Sequence, residues 1–344
     1  MPGAVAEGFD RELWRRLADA DLLSLLVPPV YGGAGLGPLA LCLVLREAGK
    51  VLARVPLLEH SAAALGLRTF GGAGTDRLLG GDGQGASSSS RWRPTAAPAT
   101  TRPNWPSPHV GTAVTGCSTG CTPPCPGPTV RIACCCFTTP VTAVPSSRSS
   151  PATPSGWVWP SQVSTNGERY AEVSLDSVRV EDTGMITAPG AWEWLRGVLV
   201  TGTCALALGL GEAVCLMTAE YTGKREQFGH PLATFQAVAI QTADRYIDLR
   251  AMEATLWQAA WRIESDAEAA LPAAADIAVA KIWAAEGVRR IVQTGQHLHG
   301  GFGADTDYRL HRYHAWAKQL ELSLGPAPAH EEALGELLAA HPLD

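Results

Sequence analysis

Between residues 83 and 167 the chain carries no aspartate, glutamate or lysine. Its only charges there are Arg91, Arg93, Arg102, Arg131 and Arg148, while 14 of the 25 prolines and six of the nine cysteines in the 344-residue sequence crowd into the same stretch. Such an interval divides whatever fold the chain adopts into two ordinary flanks. Outside it, charged residues return to about one in five, near the usual quarter of a globular protein. Three readings compete. A Pro/Ser/Thr-rich linker accounts for the prolines but not for six cysteines and four tryptophans. A metal centre is suggested by Cys117, Cys121, Cys125 and the run Cys134, Cys135, Cys136. Their spacings do not match the paired knuckles that set four thiolates around zinc. A shifted reading frame of a GC-rich gene enriches Pro, Arg, Ser, Thr, Cys and Trp together, and it explains why acidic residues return abruptly at Glu168. Residues 83–161 therefore read as frame-shifted or disordered. Resequencing the DNA tests the shifted frame: reappearance of acidic residues in a restored frame supports it, and unchanged DNA with a matching intact mass makes the cysteine-rich interval genuine, with an inactive or accessory product expected.

The flanks are patterned. Leu13, Trp14 and Leu17 recur at helical spacing after Asp10, and residues 39–51 continue as a second helix after the turn Tyr31-Gly32-Gly33-Ala34-Gly35. The first 82 residues read as a helical domain. Residues 170–180 alternate through Val173 and Leu175, slip by one, and resume at Val178 and Val180, which predicts a bulged strand. From Trp192 the pattern is helical, in segments of roughly 20 to 30 residues. They are separated at Gly229-His230-Pro231, Leu271-Pro272 and Gly300-Gly301-Phe302-Gly303. Long helices on short connections predict an antiparallel bundle over residues 188–344. Residues 197–211 are uncharged for only 15 positions before Glu212, which predicts a buried helix and no membrane insertion. A net charge of −6 without a basic run argues against nucleic acid as a partner. The start MPGAVAEGFDRELW lacks a secretory pattern, so a cytoplasmic location is expected.

Two motifs carry the chemistry. In Tyr221-Thr-Gly-Lys-Arg-Glu-Gln-Phe-Gly-His-Pro231 a helix ends in basic residues and stops at Gly229 before Pro231, which also suits plain helix termination. In Gln296-His-Leu-His-Gly-Gly-Phe-Gly303 the glycines let backbone N–H groups approach a phosphate-bearing ligand. His297 and His299 are two apart on one helix and point to different sides, so no shared metal is expected.

In this order the motifs resemble the acyl-CoA dehydrogenase family. Arg225-Glu-Gln-Phe-Gly229 looks like its R-x-x-F-G turn, Phe235-Gln-Ala-Val238 like its Q-A motif, and His299-Gly-Gly-Phe-Gly303 like its H-G-G-x-G loop. Leu26-Val-Pro-Pro-Val-Tyr-Gly-Gly33 is similar to its V-P-E-x-Y-G-G turn. The resemblance implies a mainly α fold: an N-terminal helical domain over residues 1–82, a middle β-domain over 83–187, and a C-terminal four-helix bundle. It also implies a flavoprotein oxidoreductase, assembled as a homo-tetramer or as a hetero-tetramer with a paralogue. By matching position, Arg225 meets the pyrophosphate of FAD, Gln227, Phe228 and Gln236 flank the cofactor, and Gly300 and Gly301 admit its adenosine end from a neighbouring subunit. His297 stands where the family usually has Gln.

The reaction implied is removal of a proton from Cα of an acyl-CoA while hydride leaves Cβ for the flavin, giving a trans-2-enoyl-CoA. An electron-transfer flavoprotein or similar acceptor then takes the electrons, within fatty acid or steroid side-chain β-oxidation. The family's usual glutamate base falls, by counting from Tyr308, at Leu324-Gly325-Pro326, and the alternative family position falls at or near Arg250. Glu253, flanking an apolar stripe of Leu249, Met252, Leu256, Ala260 and Ile263, is the candidate catalytic base. It equally suits an ion pair with Arg250 three residues earlier. Glu321 is near the usual position, with nothing in the spacing to aim it inward. The chain is thus either a dehydrogenase using Glu253, a silent accessory subunit in a mixed assembly with an active paralogue, or a product without function.

Overall fold

The computed structural model describes residues 10–71, 79, 157–158, 161–171, 174–175, 186, 188–265 and 269–342. The cysteine cluster and residues 83–156 of the frame-shifted reading lie outside them. The N-terminal part is α1 (Arg11–Asp19), α2 (Pro38–Lys50) and α3 (Leu57–Phe70). Asp10 caps α1 as its position predicts, its carboxylate accepting from the Leu13 N–H at 2.9 Å. In the turn that follows, Gly32 is left-handed at φ 83°, and a Cβ on Gly33 would lie 2.1 Å from the Val27 carbonyl oxygen, so the paired glycines are required by sterics.

Two short antiparallel pairs follow. β1 (Trp157–Val158) pairs with β4 (Ser174–Leu175), and β2 (Ser161–Val163) pairs with β3 (Arg169–Ala171). The strand expected over 170–180 is present at Arg169–Ala171 and Ser174–Leu175, and its later residues lie outside the described ones. Trp157–Val158 and Ser161, within the interval that reads as frame-shifted or disordered, are strand residues. Arg169–Ala171 and Ser174–Leu175 supply the partner backbones.

The bundle is α4 (Ala191–Lys224), α5 (Gln236–Ser265), α6 (Ala273–His299), α7 (Leu310–Leu322) and α8 (Ala327–Ala340). By length and composition α4 could cross a bilayer, but most of its apolar window is packed inside the protein. Val198, Cys204, Leu208, Leu210 and Val214 of α4 join Leu41 and Leu45 of α2 and Leu256, Val288 and Ile291 of the bundle in one continuous core. The last helical segment breaks at Leu324 and Gly325, which take φ 60° and 109°. That turn is held from three sides: Lys281 Nζ donates to the Leu320 carbonyl at 2.7 Å, and Arg196 and His330 approach the Leu324 carbonyl at 3.5 and 3.1 Å. Burial pushes the Lys281 pKa down to about 8.

Helix α2 crosses α4 where glycines remove the side chains between them. A Cβ on Gly49 would sit 2.3 Å from the Leu206 carbonyl oxygen, and one on Gly209 only 1.8 Å from the Arg46 carbonyl oxygen. Both obstacles are backbone, so a rotamer change gives no relief and the helices must part. Gly209→Ala is expected to destabilise the protein by about 1–3 kcal/mol through overpacking. A denaturation midpoint equal to that of the wild type would contradict this close approach.

Candidate functional site

α4 ends at Lys224, where the Arg225 N–H donates to the Tyr221 carbonyl at 2.8 Å. The chain then enters a hairpin, β5 (Glu226–Gln227) against β6 (His230–Pro231). The expectation that the helix runs to Gly229 is corrected. Phe228 and Gly229 take φ 53° and 76°, the two positive angles of a two-residue hairpin turn, so Gly229 serves the hairpin tip and not a helix cap. The Leu232 N–H closes the hairpin on the Arg225 carbonyl at 2.8 Å. Phe228 is 90% exposed at the tip, touching Phe235 edge-on at 6.3 Å. A large aromatic in a left-handed conformation gains little from its own chain to offset the strain. Gln227 and Gln236 are exposed beside it, Gln236 as the first residue of α5.

The second motif closes α6 where its glycines predict. Gly300 adopts φ 60° and ψ −135°, a region closed to residues with a Cβ. A Cβ on Gly300 or Gly301 would meet nothing within 4 Å, so both backbones face open space. His297 is exposed and His299 is buried, on different sides of the helix as expected. Among the described residues no group of three His, Cys, Asp or Glu side chains is placed to hold a metal.

His299 ties the two motifs together. Its ring stacks on Tyr221 at 4.3 Å and leans on Tyr308 at 5.4 Å, while Nδ1 donates to the Gly295 carbonyl at 2.7 Å. Burial lowers its pKa, which favours the neutral ring, and leaves a buried Nε2 with no partner. Sequence reasoning missed this stack because its members come from the end of α4, the end of α6 and the loop beyond.

Glu253 lies on another face. Its carboxylate is held by Arg250 at 2.5 Å and by Arg46 at 3.3 Å. Arg46 also donates from Nε to Glu212 at 2.9 Å, and Lys50 reaches Glu212 at 3.2 Å, so Glu253 belongs to a charge network joining α2, α4 and α5. The ion pair with Arg250 was legible from the sequence, and the pairing with Arg46 was not. Leu324 is buried, and Glu321 pairs with Lys318 at 2.7 Å.

Two family models match the flanks: "Acyl-CoA dehydrogenase, N-terminal domain" over residues 4–77 and "Acyl-CoA dehydrogenase, C-terminal domain" over 200–338. Acyl-CoA dehydrogenase FadE27 of Mycobacterium tuberculosis is 35% identical over 350 residues, which cover 97% of this chain and 90% of that one. The chain belongs to the acyl-CoA dehydrogenase family. Among solved structures, it is similar to a chain of the ChsE4-ChsE5 complex from Mycobacterium tuberculosis, at 31% identity over 99% of this chain and 91% of that one, with a TM-score of 0.72. It also resembles a variant of the Tcur3481-Tcur3483 steroid ACAD, at 32% identity over 96% of this chain and 89% of that one, with a TM-score of 0.71. Members of this family are FAD-binding flavoproteins, and the donors here fit that cofactor. They are exposed Arg225 and the two glycine backbones facing open space.

Proposed function

We propose that this acyl-CoA dehydrogenase family chain is a catalytically silent subunit of a heteromeric enzyme, in which a paralogue supplies the base. The complex converts an acyl-CoA to a trans-2-enoyl-CoA and passes electrons to an electron-transfer flavoprotein or similar acceptor. A steroid side-chain thioester is the proposed substrate class, supported by the likeness to Tcur3481-Tcur3483. The observation that carries the reading is the engagement of Glu253 by two guanidinium groups, together with Leu324 at the usual base position. FAD supplies the hydride acceptor. This chain's residues bind and orient it: Arg225 pairs with the diphosphate, Gln227, Phe228 and Gln236 flank it, and His297, Gly300 and Gly301 face the adenosine half across the subunit boundary. The exposure of Phe228, Gln236 and His297 suits contacts completed by a second subunit.

One variant separates this reading from the one in which Glu253 is the base. In the complex with the paralogue, Glu253→Gln is expected to change turnover by less than about twofold, since loss of a general base costs about 10²- to 10⁴-fold. A fall of that larger size, in protein that still binds flavin, would restore Glu253 to the mechanism.

A further inference from the structure

Helix α2 belongs by sequence to the first flank, yet the groups that hold it lie in the bundle, beyond the acid-poor interval. It packs on α4 and α5 and much less on α3, with Leu41, Cys42 and Leu45 buried in the common core. Its N-terminus has no cap of its own. Gly37 at the cap position offers no side chain, and Pro38 after it has no N–H to satisfy. The Leu39 N–H donates instead to Glu264 Oε2 at 3.0 Å, a carboxylate from the last turn of α5 and 225 residues away. A Cβ on Gly37 would lie 2.5 Å from the Glu264 carboxyl carbon, so the missing side chain is what admits that group. Negative charge at this end also suits the helix dipole. The other end is held in the same way. Leu52 takes φ 52° just past the helix, and the hydroxyl of buried Tyr313 in α7 donates to the Lys50 carbonyl at 2.8 Å. Between the ends, Arg46 meets Glu212 and Glu253, and Gly49 lies against the backbone of α4. Three bundle helices thus close around a helix of 13 residues, a length that is marginal in isolation.

We propose that α2 is an integral helix of the bundle supplied from across the interval, with Glu264 and Tyr313 as its two caps. It then opens and closes with the bundle and not with α1 and α3, and the two flanks stay associated when the chain between them is cut. The inference does not depend on whether this chain is the catalytic or the silent subunit.

Hydrogen exchange on the full chain tests it in the wild type, in the single variants Glu264→Ala, Glu264→Gln, Gly37→Ala and Tyr313→Phe, and in the double variant Glu264→Ala/Tyr313→Phe. In the wild type, the amides of α2 are expected to exchange as slowly as those of α4 and more slowly than those of α1, which buries no residue. The double variant should speed exchange across α2 about 10- to 100-fold and leave α1 and α3 unchanged. Gly37→Ala should mimic Glu264→Ala by pushing the carboxylate aside, and Glu264→Gln should recover most of the protection, because an amide oxygen still accepts from Leu39. If the double variant protects α2 as well as the wild type does, the caps contribute nothing and the proposal is overturned. Equal acceleration of α1, α2 and α3 also overturns it, since the first flank then docks as one unit. As a second measurement, a protease site inserted within residues 83–156 is cut in the folded wild-type chain. The two pieces are expected to co-elute, and their separation would contradict the proposal.

Discussion

Arg225→Gln in the complex is expected to lower FAD affinity about 10- to 100-fold, because a charge-assisted, two-pronged contact with a diphosphate contributes about 1.5–3 kcal/mol. The side chain stands at the base of the β5 and β6 hairpin, exposed and outside any ion pair among the described residues, so its removal breaks no contact that holds the fold. Unfolding of the apo-protein should therefore be unchanged while the flavin is lost, as read by absorbance of the purified complex and by flavin titration. Full flavin occupancy at wild-type affinity would remove Arg225 from the cofactor site.

Arg46→Met is expected to have the opposite signature. Arg46 holds Glu212 and Glu253 at once, and all three side chains are mostly shielded, at 22%, 14% and 21% exposure. Removing the guanidinium leaves two carboxylates facing each other with only Lys50 and Arg250 to compensate. Breaking a buried pair from one side costs about 3–5 kcal/mol, and the partial exposure here lowers the figure to about 2–3 kcal/mol. The loss should show as an earlier denaturation midpoint. Because α2 meets α4 at this point, residues of the N-terminal helices should also become more accessible to hydrogen exchange. A midpoint within error of the wild type would mean that the network contributes no net stability.

Local signals carried much of this architecture. Asp10 marked the start of α1, the glycine pairs marked the turns, and the end of α6 fell where the H-G-G-x-G motif placed it. These features depend on residues within a few positions of one another. What escaped was set by partners distant in sequence. Arg46 reaches Glu212 across 166 residues, and no periodicity announces that contact. Tyr221, His299 and Tyr308 meet only because α4 and α6 end side by side. The helix boundary at Lys224 was misjudged for a different reason. A glycine after basic residues looks like a helix cap, but here the positive φ it permits is used at a hairpin tip together with Phe228. The break at Leu324 was hidden because a leucine in a left-handed conformation has no sequence signature, and the strap formed by Arg196, Lys281 and His330 comes from three other helices.

In the proposed assembly this chain shapes a flavin site and a paralogue supplies the base. The most direct test is to purify the chain alone and together with the paralogue, then measure bound FAD and acyl-CoA turnover in each preparation. FAD and turnover are expected only in the mixed complex, with turnover lost when the paralogue's own base is removed. A flavin-loaded homomer of this chain that oxidises an acyl-CoA unaided would contradict it.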